Sequence, residues 1–176
     1  MPSPTYVAIA KTVLTSSSAS VVFASIPSTY TDLYLVWSAR MDATNATTYV
    51  LFNSETTSTT SNSLTRLYAY NGSVYSARES NYPIYYYLSI NESDSTSNTF
   101  SNSDLYIANY AGSTNKPMSG TSVIETNTAA SFDAAIQPLA GLRSNTTSIS
   151  RIEFVPALGN FVSGSRFDLY GIKSSS

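Results

Sequence analysis

From Tyr6 to Ile172 the chain repeats one device: short runs in which apolar and polar residues alternate, broken by stretches of Ser, Thr, Asn, Gly and Pro. Alternation with period two places every second side chain on the same face of an extended strand, so each run can bury one face only. Runs of this kind at short, even spacing cannot be satisfied by helices and need a second sheet to cover them. The sequence therefore predicts an all-β fold: a single antiparallel β-sandwich over residues 1–176, jelly-roll-like, with eight to ten strands.

The runs can be placed along the chain. Tyr6–Val13 and Ser20–Ile26 flank the connector "TSSSA", and Pro27, with no N–H to give, closes the second. "DLYLVWSAR" (Asp32–Arg40) puts Leu33, Leu35 and Trp37 on one face, with Tyr34, Val36 and Ser38 on the other. Its second face is apolar enough for a central strand. "TYVLFN" (Thr48–Asn53) precedes "SETTSTTSNS", read as a long surface loop. "RLYAYNGSVYSAR" carries Asn71-Gly72 between alternating residues, a strong hairpin signal. "PIYYYLSI" and "DLYIANY" are further strands around the polar loop "NESDSTSNTFSNS". Residues 116–126 give no clear pattern, and "FDAAIQPLAGL" reads as a short helix broken at Pro138. Ile149–Val155 and Ser165–Ile172 read as a closing hairpin. Ile152, Phe154, Phe167 and Leu169 then share one side, while Arg151, Glu153, Arg166 and Asp168 pair across strands on the other.

Composition narrows the chemistry. There is no His and no Cys, which removes His-based triads, thiolate chemistry, disulfides and His- or Cys-ligated metal. Charged residues make up 11% of the chain, and Ser with Thr 54 of its 176 residues, so solubility rests on hydroxyls and amides. A net charge of −2 with scattered basic residues argues against nucleic acid. No apolar run approaches the roughly 20 residues that cross a bilayer, and the N-terminus lacks a signal-peptide pattern. Ser113-Thr114-Asn115-Lys116 matches Ser-x-x-Lys, but Gly112 and Pro117 flank it, so a loop is expected in place of the helix a Ser/Lys dyad needs. The "NESDS" loop with Asn102 and Asp104 could offer oxygens to Ca²⁺, although it lacks the periodicity of a calcium loop. No carboxylate pair stands out as a glycosidase site. The reading is a non-enzyme without cofactor or metal.

Tyrosine is the exception to this blandness: 14 Tyr stand against one Trp. Tyr68, Tyr70, Tyr82, Tyr85, Tyr87 and Tyr106 are the candidate interaction surface. Tyr with Ser, Asn and Gly supplies large contact area and adaptable hydrogen bonds, though tyrosine is also an ordinary strand residue.

The end of the chain, "SISRIEFVPALGNFVSGSRFDLYGIK" after "LAGLRSNTT", resembles the closing region of a β-sandwich module in virion structural proteins of tailed bacteriophages. The opening "YVAIAKTVLTSSSASVVFASIPSTYTDLYLVWSAR" and the segment "LYIANYAGSTNKP" are similar to the same module, so the resemblance spans nearly the whole chain. Arg40, Gly159, Asn160, Phe161, Gly164, Tyr170 and Gly171 match it as framework positions, and it supplies no catalytic residues. It implies a capsid decoration (cement) subunit, assembled in the host cytoplasm and bound as a homotrimer to the major capsid protein. The alternative is a tail fibre or spike module that binds host glycan through Tyr82, Tyr85, Tyr87 and the loop Asn91–Asn102.

Overall fold

The computed structural model describes residues 5–44, 47–53, 55–56, 61–70, 73–82, 85–88, 90–126 and 135–173; for Tyr70, Tyr82 and Tyr85–Leu88 this is backbone pairing alone. Twelve strands lie among them: β1 (Tyr6–Val13), β2 (Val21–Phe23), β3 (Asp32–Ala39), β4 (Thr48–Phe52), β5 (Asn62–Tyr70), β6 (Ser73–Tyr82), β7 (Tyr85–Leu88), β8 (Ser101–Ile107), β9 (Lys116–Ile124), β10 (Ala135–Arg143), β11 (Ile152–Pro156) and β12 (Arg166–Ile172). They form an eight-stranded sheet, β1-β12-β3-β8-β9-β10-β5-β6, and a four-stranded sheet, β2-β11-β4-β7. Every strand pairing is antiparallel. The all-β sandwich expected from the alternation is what the chain adopts, with two strands more than the upper bound.

The core lies between β12, β3 and β8 of the large sheet and β11, β4 and β2 of the small one. Leu33, Leu35, Trp37 and Ala39 of β3 are buried at alternate positions, as the period-two reading requires. Phe154 of β11 meets Trp37 at 5.1 Å between ring centroids and Phe167 of β12 at 4.9 Å. Phe161 plugs the connection between β11 and β12 and meets Phe167 at 5.0 Å, fully buried. Around it Gly159 (φ 66°) and Gly164 (φ 89°) take left-handed backbone that glycine adopts without strain. The backbone N–H of Asn160 donates to Asp42 Oδ1, which with the Asn160 side-chain amide holds the Asp42 carboxyl below its ordinary pKa.

Three expectations are corrected. The last two runs are not a hairpin: β12 pairs with β1 and β3, and β11 with β2 and β4, so they face each other across the core. Alternation fixes which side chains point inward and is indifferent to whether the partner lies beside the strand or opposite it. The charged residues accordingly pair with near neighbours in sequence, Arg151, just before β11, with Glu153 at 2.7 Å and Arg166 with Asp168 of β12 at 2.5 Å. The expected helix at "FDAAIQPLAGL" is β10 from Ala135 onward, with Pro138 inside it, and residues 127–134 lie outside the described range. The β10–β5 register runs from Ile136↔Ala69 to Leu139↔Arg66 and skips Gln137 and Pro138, which accommodates the missing N–H. Finally, Glu55 of the "SETTSTTSNS" stretch is a buried partner of Arg143, at 2.6 Å, and not a loop residue in solvent.

Candidate interaction faces

Residues on the outer face of the large sheet follow from the registers. Tyr170, Tyr34, Tyr106, Ser119, Ala140, Thr65 and Arg78 stand opposite one another in turn, from β12 to β6. This row divides the face into two chemistries. Over β1, β12, β3 and β8 it carries tyrosine and carboxylate. Tyr6, 56% exposed, packs edge-on against Tyr34 at 6.1 Å. Burial raises the Tyr106 pKa, helped by a hydrogen bond to the Asp32 carboxylate and by its charge. Burial likewise raises that of Tyr34, with a smaller contribution from the charge of Asp104. Asp104 itself is pushed up by burial, against a backbone hydrogen bond from Thr121 that lowers it.

Over β9, β10, β5 and β6 the same face is aliphatic. Val123, Ile136, Leu142, Leu67 and Val74 project from it and remain 36%, 52%, 37%, 49% and 68% exposed. Strand spacing and rise put them within a band of about 14 Å by 20 Å, interspersed with Thr65, Ser76, Ser119 and Arg78. Among the described strand positions of this band Arg78 carries the one charge.

The inner face of β5 and β6 contributes Leu64 to the core and is polar and aromatic around it. Arg66 and Glu79 form an ion pair at 3.4 Å. The Arg66 guanidinium lies 4.8 Å from the Tyr68 ring centroid, and Tyr68 stacks on Tyr75 at 5.3 Å and 17°.

The six tyrosines expected to form one interaction surface therefore do not. Tyr106 belongs to the outer face of the large sheet, and Tyr68, in step with buried Leu64, to its inner face. Tyr70 and Tyr82 end β5 and β6, paired with Ser73 and Asn62, while Tyr85 pairs with Val50 in the small sheet, which also carries Tyr87. The side chains of Tyr70, Tyr82, Tyr85 and Tyr87 lie outside the described residues. Tyr34 and Tyr170 join Tyr106, and Tyr75 joins Tyr68. Cross-strand register, which no single run contains, brings these together.

The loop Asn91–Asn102 is built around Arg40. Its guanidinium donates to the carbonyls of Ser93 (3.2 Å), Ser95 (2.8 Å), Thr96 (2.8 Å) and Thr99 (3.2 Å). Carbonyls that could have faced a calcium ion are thus turned toward a fixed cation, and among the described residues no group of three or more acidic side chains has metal-binding geometry. Lys116 is equally committed. Fully buried, its Nζ donates to the carbonyls of Gly112 (2.7 Å), Thr114 and Thr146 (3.2 Å). Burial, and then the neighbouring charge of Arg143, lower its pKa. The Ser-x-x-Lys match is therefore strand-end geometry, with Lys116 opening β9. Lys116 and Arg143, opposite each other in register, organise the turns beside them; Arg143 donates to the carbonyls of Asn145 (3.4 Å) and Thr147 (3.1 Å).

No family model and no curated protein matches this sequence. Among solved structures it is similar in outline to the galectin LEC-6 of Caenorhabditis elegans, at 8% identity over 93% of this chain and 96% of that one, with a TM-score of 0.34. It is similar also to CG-16, a homodimeric agglutinin from chicken liver, at 9% identity over 84% and 98% of the two chains, with a TM-score of 0.33. Likeness at these scores carries no functional content.

Proposed function

We propose that this chain is a structural subunit of a tailed-phage particle, a capsid decoration (cement) protein that lies against the outside of the shell and against copies of itself. The observation that carries the reading is the set of exposed aliphatic side chains on one half of the outer face, Leu67, Val74, Val123, Ile136 and Leu142, carried on four adjacent strands in a chain poor in charge. A preformed apolar face on a rigid sheet loses little conformational entropy on docking and gains from every methyl it removes from water. The major capsid protein and a homotrimeric partner are the contacts this face would serve. Rebinding of purified protein to particles stripped of it tests the proposal. Wild type is expected to co-sediment and to raise the temperature at which the shell opens, and Ile136→Asp or Leu67→Asp to do neither. Co-sedimentation of both variants at wild-type level would refute it.

A second reading, a tail fibre or spike module that binds host glycan, is favoured by the tyrosine half of the same face, where Tyr34, Tyr106 and Tyr170 stand side by side. Location on the particle separates the two.

A further inference from the structure

We infer that the free edge of β1 is a contact between two copies of this chain, in which the second copy adds its own β1 antiparallel about a two-fold axis between Ile9 and Ala10. The contact lies at the opposite end of the large sheet from the aliphatic band. It is separate from the trimer of the decoration reading and does not rest on that reading.

β1 is the first strand of the eight-stranded sheet, and among the described residues its one strand neighbour is β12. The other side of an edge strand presents N–H and C=O groups that template a strand from another molecule. Which residues of β1 present them follows from the ladder. The carbonyl of Thr5 accepts from the N–H of Lys173, and the N–H of Leu14 donates to the carbonyl of Ser165, so both residues turn their backbone toward β12. Backbone direction alternates along a strand. Counting inward from the two ends, Tyr6, Ala8, Lys11 and Val13 point to the free edge, and the bulge between Ala8 and Ala10 absorbs the change of parity. The same four are the exposed residues of β1. Val7, Ile9, Ala10 and Thr12 are partly buried, so the exposure of the strand reads the same from either end.

The spacing of these free groups selects the partner. They recur at intervals of two, three and two residues. A regular strand offers its groups at every second residue and falls out of step at the bulge. A second β1, run antiparallel, offers the same order and matches all four positions in one register. Tyr6 then stands opposite Val13 of the second copy and Ala8 opposite its Lys11, each twice by symmetry, for about eight backbone hydrogen bonds.

The side chains agree with that register. Tyr6 and Val13 are 56% and 48% exposed, and pairing covers each with the other, an aromatic residue against a β-branched one. Ile172, opposite Tyr6 on β12, extends the apolar row. Lys11, the one charge on the strand, has Asp168 opposite it on β12 and faces Ala8 of the second copy, so no like charge opposes it. The other edge of the sheet is a poorer match. In β6, Asn81 takes left-handed backbone (φ 57°), and the register slips between Asn62 and Ser63.

Sedimentation equilibrium of the full chain tests the contact, run on Leu67→Asp so that the aliphatic face contributes nothing. A mass twice the 18.9 kDa of one chain is expected. Adding Ala8→Pro, which removes a free-edge N–H and no bond to β12, should return the mass to one chain while circular dichroism still reports a folded sheet. Oxidative crosslinking reads the register, since the chain has no cysteine of its own. Tyr6→Cys mixed with Val13→Cys should give a disulfide-linked pair, because opposite residues lie about 5.5 Å apart between Cα atoms. Neither variant alone should link to itself, because like residues then lie roughly 20 Å apart. A single-chain mass at the highest soluble concentration, a dimer that survives Ala8→Pro, no link in the mixture, or self-linking of either cysteine variant would overturn the inference.

Discussion

The two ends of the eight-stranded sheet use the same alternation to opposite effect. At β12 and β3 the inward residues are Phe167, Leu169, Leu33, Leu35 and Trp37, all at most 1% exposed, and the outward ones are Tyr170, Tyr34, Asp168 and Asp32. At β5 and β6 the inward positions include Arg66, Tyr68, Tyr75 and Glu79, and the outward ones Leu67 and Val74. Apolar-in, polar-out describes the first end, and much of the second inverts it. The first end holds most of the large aromatic core residues, and the second sets an aliphatic outer face against an inner one that turns polar and aromatic beyond Leu64.

The comparison predicts that truncations at the two ends differ sharply in cost. Trp37→Ala or Phe167→Ala should destabilise the fold by about 3–5 kcal/mol, read from denaturant midpoints, because each empties a packed aromatic site. Near-native unfolding of either variant would break the assignment of the core to this end. Arg143→Ala should also cost about 3–5 kcal/mol, since it strands the Glu55 carboxylate, whose side chain is 6% exposed. The double change Arg143→Met with Glu55→Met should recover much of that loss, as removal of both charges leaves neither unmatched.

At the other end, Leu67→Asp, Val74→Ser and Ile136→Asp should each shift stability by no more than about 0.5 kcal/mol, as exposed substitutions do, while abolishing attachment to the shell. A large loss of stability would mean that these side chains belong to the core after all.

The smallest effect concerns Asp104 on the tyrosine half. Burial raises its pKa above the unfolded value, so the folded state holds the proton more tightly. Stability from this group is present at acid pH and declines as pH rises through the unfolded and then the folded pKa. Asp104→Asn should thus raise the melting temperature at neutral pH, and the gain should shrink on acidification below the carboxylate range. A gain that grows on acidification would contradict the sign.

The inversion also explains what the sequence could and could not disclose. Period two in "DLYLVWSAR" identified the buried face of β3 from the residues alone, because Leu33, Leu35 and Trp37 are apolar enough to decide it. In "RLYAYNGSVYSAR" one face carries Tyr68, Tyr70 and Tyr75 and the other Leu67, Ala69 and Val74, either of which is apolar enough to be buried, so the hairpin was legible through Asn71-Gly72 and confirmed by Tyr70↔Ser73 pairing, while its orientation was not. Strand partners were less legible still. The inward side chains of β11 and β12 are the same whether the strands pair or face each other, and only the fold distinguishes these. The polar cluster of Arg66 with Glu79 and of Tyr68 with Tyr75 arises from cross-strand register, to which composition is blind. Lys116 and Arg143, among the largest fully buried side chains, gave no signal either, because their partners are mainly backbone carbonyls that any sequence possesses.

The central claim is that the aliphatic outer face attaches this chain, in many copies, to a phage shell. Its most direct test is the copy number of the chain in purified virions, by quantitative mass spectrometry against the major capsid protein. The account predicts a number that scales with the capsid lattice. A handful of copies per particle would contradict it and move the chain to the tail.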